Sequence, residues 1–285
     1  MRKWSYLFVL MATVMALFAT HAGTADKVNP EDIIARHLEA IGSAETLASV
    51  KSMIAGGTAT ANFQSPRTGQ FTGKAVLASD GRKSVVGMIF EDSKYSLERF
   101  SFDGDEVTAS YIKPGLHSTL GDFLTTHKGI VKQGIVGGAL STAWPLRDPA
   151  SKAAKLEYGG TKKIGDRTAH EVRYLPRGGS DLEIKMYFDT ENYHHLRTEY
   201  TRVITAQIGT SVDSSASQRQ SRYKMVEDFS DFQKAGAFTL PHRYKLTLET
   251  DAKGGAFIGD WEIQLTDFNF NQRIPPDTFK TSAPN

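Results

Sequence analysis

The period of the apolar positions changes along the chain, and the change divides it. Asn29-Pro30-Glu31-Asp32 is a helix start: Asn29 can cap, Pro30 suits the first turn, and two acids favour the positive end of the dipole. Ile33, Ile34, His37, Leu38 and Ile41 then form one helical stripe, and Gly42 is placed to end it. A short second helical piece follows over 43–50. From about residue 51 the period falls to two. Met53, Ala55, Gly57, Ala59, Ala61 and Phe63 share a face, then Phe71, Gly73, Ala75 and Leu77, then Val86, Met88 and Phe90. Asp80-Gly81 and Asp103-Gly104 read as hairpin turns. Over 94–102 the apolar positions switch face, from Tyr95 and Leu97 to Phe100 and Phe102, which predicts a bulge. A further short strand is predicted over 106–112.

Residues 115–144 interrupt the alternation. Leu116, Leu120, Phe123, Leu124 and His127 fall at helical spacing, an apolar series continues through Ile135, Leu140 and Trp144 among glycines, and Pro145 stops it. Strands resume at 154–164 and 168–176 around Gly165-Asp166. Leu182, Ile184, Met186 and Phe188 alternate with Glu183, Lys185, Tyr187 and Asp189, and 194–208 is a longer mixed strand. Residues 209–220 form a polar, Ser-rich loop. Strands over 221–230, 239–250 and 256–270 complete the set, with Tyr244, Leu246, Trp261 and Ile263 on the apolar side. The fold class expected is mainly β with some helix: a curved, open, antiparallel half-barrel of about eleven strands, its concave face covered by helices.

Composition narrows the function. The 285 residues contain no cysteine, which removes disulfide scaffolds, thiolate metal sites and a lipidated cysteine. Arg2 and Lys3 precede an apolar run from Trp4 to Ala19, and small residues stand at Ala22 and Ala25. This is the layout of a signal peptide, with 1–25 removed and 26–285 forming one domain. Arg2 and Lys3 are the only charges in 1–25, so the 34 basic residues become 32, equal to the 32 acidic ones. A neutral exported chain is not a nucleic-acid binder, and no later stretch reads as an integral membrane segment. There is no nucleophile elbow, phosphate loop or dinucleotide fingerprint. His194 and His195 are adjacent on a predicted strand, so they point to opposite faces and cannot chelate as a pair. No catalytic residue, metal or cofactor is expected. An inward cluster of carboxylates or histidines opening on a pocket would point to an enzyme instead.

Several short stretches carry a family resemblance. They are Ile33 to Gly42 followed by Leu47 and Val50-Lys51-Ser52-Met53, then Ile164-Gly165-Asp166-Arg167, Tyr187-Phe188-Asp189, Phe238-Thr239-Leu240-Pro241, and Ile274-Pro275-Pro276-Asp277-Thr278-Phe279. In this order they resemble the periplasmic lipoprotein-carrier superfamily typified by LolA and LolB, with RseB-type and LppX-type relatives. The resemblance implies a periplasmic binding or carrier protein for a lipoprotein acyl group or other hydrophobic envelope ligand. An envelope sensor or scaffold acting through protein partners is the alternative. The cavity wall expected is Phe71, Leu77, Val86, Met88, Phe90, Leu182, Ile184, Met186, Phe188, Tyr244, Leu246, Trp261 and Ile263. The lid expected is Leu120, Phe123, Leu124, Ile135 and Leu140, hinged at the surrounding glycines.

Overall fold

The structure, a computed structural model, describes residues 28–66, 68–148, 154–205, 220–252 and 255–280. The expected signal segment 1–25 and nearly all of the loop 209–220 lie outside these. Helix α1 (Pro30–Ile41) and helix α2 (Ala44–Ser49) come first. Five strands follow: β1 (Ser52–Ser65), β2 (Gly69–Asp80), β3 (Lys83–Phe90), β4 (Leu97–Phe102) and β5 (Val107–Ala109). A two-stranded ribbon, β6 (Tyr111–Lys113) with β7 (Leu116–His117), leads into helices α3 (Thr119–Thr126) and α4 (Lys128–Lys132). Two single-turn 3₁₀ segments, Gly138–Leu140 and Pro145–Arg147, come next. Seven strands complete the fold: β8 (Ala154–Ile164), β9 (Arg167–Pro176), β10 (Glu183–Asp189), β11 (His195–Ile204), β12 (Ser221–Ala235), β13 (Phe238–Ala252) and β14 (Gly255–Phe270).

Twelve of these strands form one open antiparallel sheet in the order β5-β4-β3-β2-β1-β14-β13-β12-β11-β10-β9-β8. It is two meanders fused where β1 pairs with β14. The two edges, β5 and β8, are joined in sequence by residues 110–153, so that connection must pass across the sheet. It passes over the apolar face: Leu120, Phe123, Leu124, Ile130, Val131, Ile135, Leu140 and Trp144 belong to the same buried cluster as the inward residues of the strands. The sheet must also bend. Helix α1, about 18 Å long, touches both β13 and the edge strand β8, which would lie roughly 24 Å apart on a flat sheet.

Local details depart from the pattern in three places. Strand β4 begins only at Leu97, and no bulge interrupts its pairing with β3. Tyr95 instead lies in the preceding turn, where the Asp92 carboxylate accepts the Lys94 N–H at 2.7 Å, so the face switch marks the end of a turn. The helical run in the crossing segment begins at Thr119, because the Ser118 hydroxyl caps it by accepting the Gly121 N–H at 2.9 Å. Leu116 is consequently left in the ribbon and exposed. Asn29 makes no side-chain capping bond. Gly42 ends the helix as expected, its N–H bonded to the Leu38 carbonyl at 3.0 Å; it is extended, and a methyl group there would sit 3.2 Å from Phe238. The Asp80-Gly81 turn forms as expected, with Asp80 paired to Lys83 and Gly81 at φ +56°.

Candidate ligand-binding face and its plug

Alternation delivers one apolar face to the inside of the bend. Leu77, Val86, Met88, Phe90, Leu182, Ile184, Met186, Phe188, Tyr244, Leu246, Trp261 and Ile263 are all buried there. Leu182 stands just ahead of β10 rather than in it. Phe71 is only partly buried, at a rim where its ring lies 5.6 Å from Phe63 and 5.3 Å from Tyr95. The five residues read as a lid, Leu120, Phe123, Leu124, Ile135 and Leu140, are buried against this face. The lid is seated as a plug. Between it and the sheet, around Leu77, Val86, Phe100, Val136 and Leu140, the space left is only about 20 Å³.

The larger open volume is a groove of about 1100 Å³ beside the C-terminal half of the plug. Its walls are α1, α2 and the 142–148 stretch. Leu38, Leu47, Val50 and Trp144 line it, and Arg147 spans it to donate to the Leu47 carbonyl at 2.8 Å. Burial pushes the Arg147 guanidinium pKa down.

Polar groups that the apolar pattern hides tether the plug to the sheet. Glu227 shares the inward parity of Met225 and Phe229 on β12. Its carboxylate accepts from Tyr200 Oη at 2.5 Å, Tyr244 Oη at 2.5 Å and the Gly137 N–H of the plug at 2.7 Å. Burial raises this carboxyl to about 7, against the pull of its three donors. Glu98, inward beside Phe100 on β4, is raised to about 7 by the same cause, with Ser118 and Tyr95 hydrogen bonds opposing. Tyr95 Oη donates to it at 2.5 Å and accepts from Trp261 Nε1 at 2.7 Å. At the α3–α4 junction, His127 Nδ1 lies 2.8 Å from Asp181 Oδ2, and Arg202 reaches the same oxygen at 2.9 Å.

Neither inward carboxylate lines the groove; Glu227 is bonded by Tyr200 and Tyr244, and Glu98 by Tyr95. His195 opens β11 and points inward, while His194, in the turn just before it, stacks on Phe232 with ring centroids 4.1 Å apart. Among the described residues, no group of three or more His, Asp or Glu is placed to hold a metal, and no helix is long and apolar enough to cross a membrane.

The fold is an open antiparallel sheet with a helical cover, the architecture that the sequence resemblance implied. No family model and no curated protein matches the chain. Solved structures similar to it include the LolA superfamily protein NE2245 from Nitrosomonas europaea, at 13% identity over 89% of this chain and 98% of that one, with a TM-score of 0.48. A DUF1329 family protein from Desulfovibrio piger aligns at 9% identity over 88% and 95%, with a TM-score of 0.41. A domain ascribed to outer membrane lipoprotein sorting in Vibrio parahaemolyticus aligns at 9% identity over 86% and 97%, with a TM-score of 0.41.

Proposed function

We propose that this chain is an exported, non-catalytic binding or carrier protein of the periplasm, with a lipoprotein acyl group or another hydrophobic envelope molecule as its ligand. The observation that carries the reading is the plug. A wide apolar sheet face is covered by a separate segment strung between the sheet's two edges, and a groove of about 1100 Å³ opens along that segment. The thirteen wall residues from Phe71 to Ile263 and the five lid residues named above would contact the ligand once the plug lifts. Burial of each CH₂ contributes ~0.8 kcal/mol, so an acyl chain of roughly sixteen carbons gains about 13 kcal/mol before ordering costs.

The seated plug, with about 20 Å³ left around Val136 and Leu140, favours a second reading. In it the closed body is a sensor or scaffold that acts through protein partners in the envelope. Native mass spectrometry of the exported protein, purified without detergent, separates the two. A co-purified lipid, or uptake of palmitate or a diacylglycerol from micelles, is the expected result. An empty protein that takes up neither would reject the carrier reading and leave the scaffold.

A further inference from the structure

Two buried histidines meet the C-terminal half of the plug, and ligand binding by an apolar face does not account for them. His37 comes from α1 and His195 opens β11, with ring centroids 6.1 Å apart. A carbonyl oxygen only accepts, so a ring nitrogen bonded to one carries the proton. His37 Nδ1 lies 2.7 Å from the Tyr193 carbonyl and therefore carries the proton. His195 Nε2 lies 3.1 Å from the Arg197 carbonyl, which assigns it the proton, and 2.9 Å from the Thr198 hydroxyl, which can serve as donor or acceptor. The two remaining nitrogens, His37 Nε2 and His195 Nδ1, are buried with no hydrogen-bond partner.

The surroundings offer them no acceptor. The Trp144 ring of the plug lies 5.2 Å from His37 and 5.5 Å from His195. Phe188 is 5.1 Å from His37, and Phe229 is 4.6 Å from His195. A methyl group built on Gly138 would stand 3.1 Å from His195 Nδ1, so the plug backbone lies directly over that nitrogen. A second proton on either ring would place a cation in an aromatic box closed by the plug. Such a charge is strongly disfavoured unless it is paired or solvated.

We propose that this junction is a proton-operated latch, in which acid unseats residues 134–147 and opens the inner face. The movement rests on the geometry above; its purpose, admitting or releasing the ligand, rests on the carrier reading.

The charged and titratable groups around the junction include Tyr193 and His194 in the β10–β11 turn, Arg36 on α1, His170 on β9 stacked on Tyr193, Asp189 on β10 paired with Arg167, and Glu227 on β12 with Tyr200 and Tyr244. Burial, then repulsion from His194, lowers His37 to about 4 while the Tyr193 carbonyl opposes. Burial, then His37, lowers His195 well below its ordinary value. A group whose closed-state pKa is depressed in this way favours closure above 6.5 and opposes it as pH falls toward 4. At pH 5.5 each histidine multiplies the open-to-closed ratio about tenfold. Glu227 works the other way. Its closed-state value of about 7 against an ordinary 4.5 favours closure about thirtyfold at pH 5.5. The wild-type chain should therefore open about threefold at pH 5.5 and several tens-fold at pH 4.5, and Glu227→Gln about a hundredfold at pH 5.5.

Amide hydrogen exchange on the full exported chain, expressed as protection factors corrected for intrinsic rate, tests this. From pH 8 to pH 5.5, protection over 134–147 in Glu227→Gln should fall about a hundredfold while β1 and β14 hold. Adding His195→Phe, or His37→Phe should that variant not fold, should cut the fall to about tenfold. If Glu227→Gln itself does not fold, the wild type at pH 4.5 gives the answer. Unchanged protection over 134–147, or equal loss in β1 and β14, overturns the latch. Lipid uptake is read separately at pH 8, so an acid-opened protein that takes up no lipid keeps the latch and loses the carrier reading.

Discussion

Replacing Gly138 with alanine should unseat the plug without unfolding the sheet, and the cost follows from two independent features. Gly138 sits at φ +51°, a left-handed conformation that costs a residue with a side chain roughly 1–2 kcal/mol. Its added methyl would also stand 3.1 Å from both His195 Nδ1 and Phe229 Cζ, tighter than ordinary contact, so both rings must give way. Overpacking of that kind costs about 1–3 kcal/mol. Together these give about 2–5 kcal/mol, which is a large share of the stability of a typical domain. The neighbouring Gly137 provides the control. Its φ of +88° brings similar strain, but a methyl there meets nothing within 4 Å, so Gly137→Ala should cost only the backbone part. Amide exchange reads the difference. Gly138→Ala should lose protection over 134–147 by a factor of about thirty or more, Gly137→Ala by about ten, and amides in β1, β13 and β14 should change little in either. Equal losses in the two variants would show that the contact with His195 and Phe229 is not what seats the turn. Unchanged protection in both would refute the packing argument outright.

Two further outcomes follow from the same face. Phe123→Asp places a carboxylate in the buried seam between α3 and the sheet, and it should weaken apolar-dye or lipid binding severalfold while circular dichroism shows a folded chain; unchanged binding counts against the lid. The Glu98 carboxyl, raised to about 7 from an ordinary 4.5, contributes stability that is present below 4.5 and lost as pH rises through about 7. Denaturant titrations should therefore show the wild-type chain losing about 3 kcal/mol relative to Glu98→Gln between pH 4.5 and 7.5, and parallel pH profiles would reject that assignment.

The sheet was legible because its signal is periodic. A strand with one covered face must alternate, and the runs Leu182 to Phe188 and Trp261 to Leu265 do so. Most strand starts could therefore be placed within a residue or two, although 94–102 begins only at Leu97, 106–112 shortens to Val107–Ala109 and 221–230 runs on to Ala235. The tethers were not legible for the same reason. Glu98 and Glu227 sit at inward parity, but a lone acid among apolar neighbours is read as noise until a tyrosine from another strand is seen to meet it. Parity was the available signal, since Met225, Glu227 and Phe229 are two apart. Trp144 and His37 come together across more than a hundred residues, and no local pattern encodes that meeting. The groove beside Arg147 likewise depends on how α1, α2 and the plug lean together, which spacing along one chain does not specify.

The seam at the middle of the sheet imposes an order on how this molecule can be made. Met53 of β1 lies against Phe270 of β14, so one of the first strands to emerge is completed by the last. Until the C-terminal hairpin arrives, β1 has an open flank of fourteen residues able to pair with any strand it meets. Pairing over so long a stretch of chain is slow compared with the local hairpins on either side. The nascent polypeptide therefore spends its most vulnerable period with two finished wings and no spine, and a C-terminal truncation that removes β14 should leave aggregating halves rather than a smaller version of the fold.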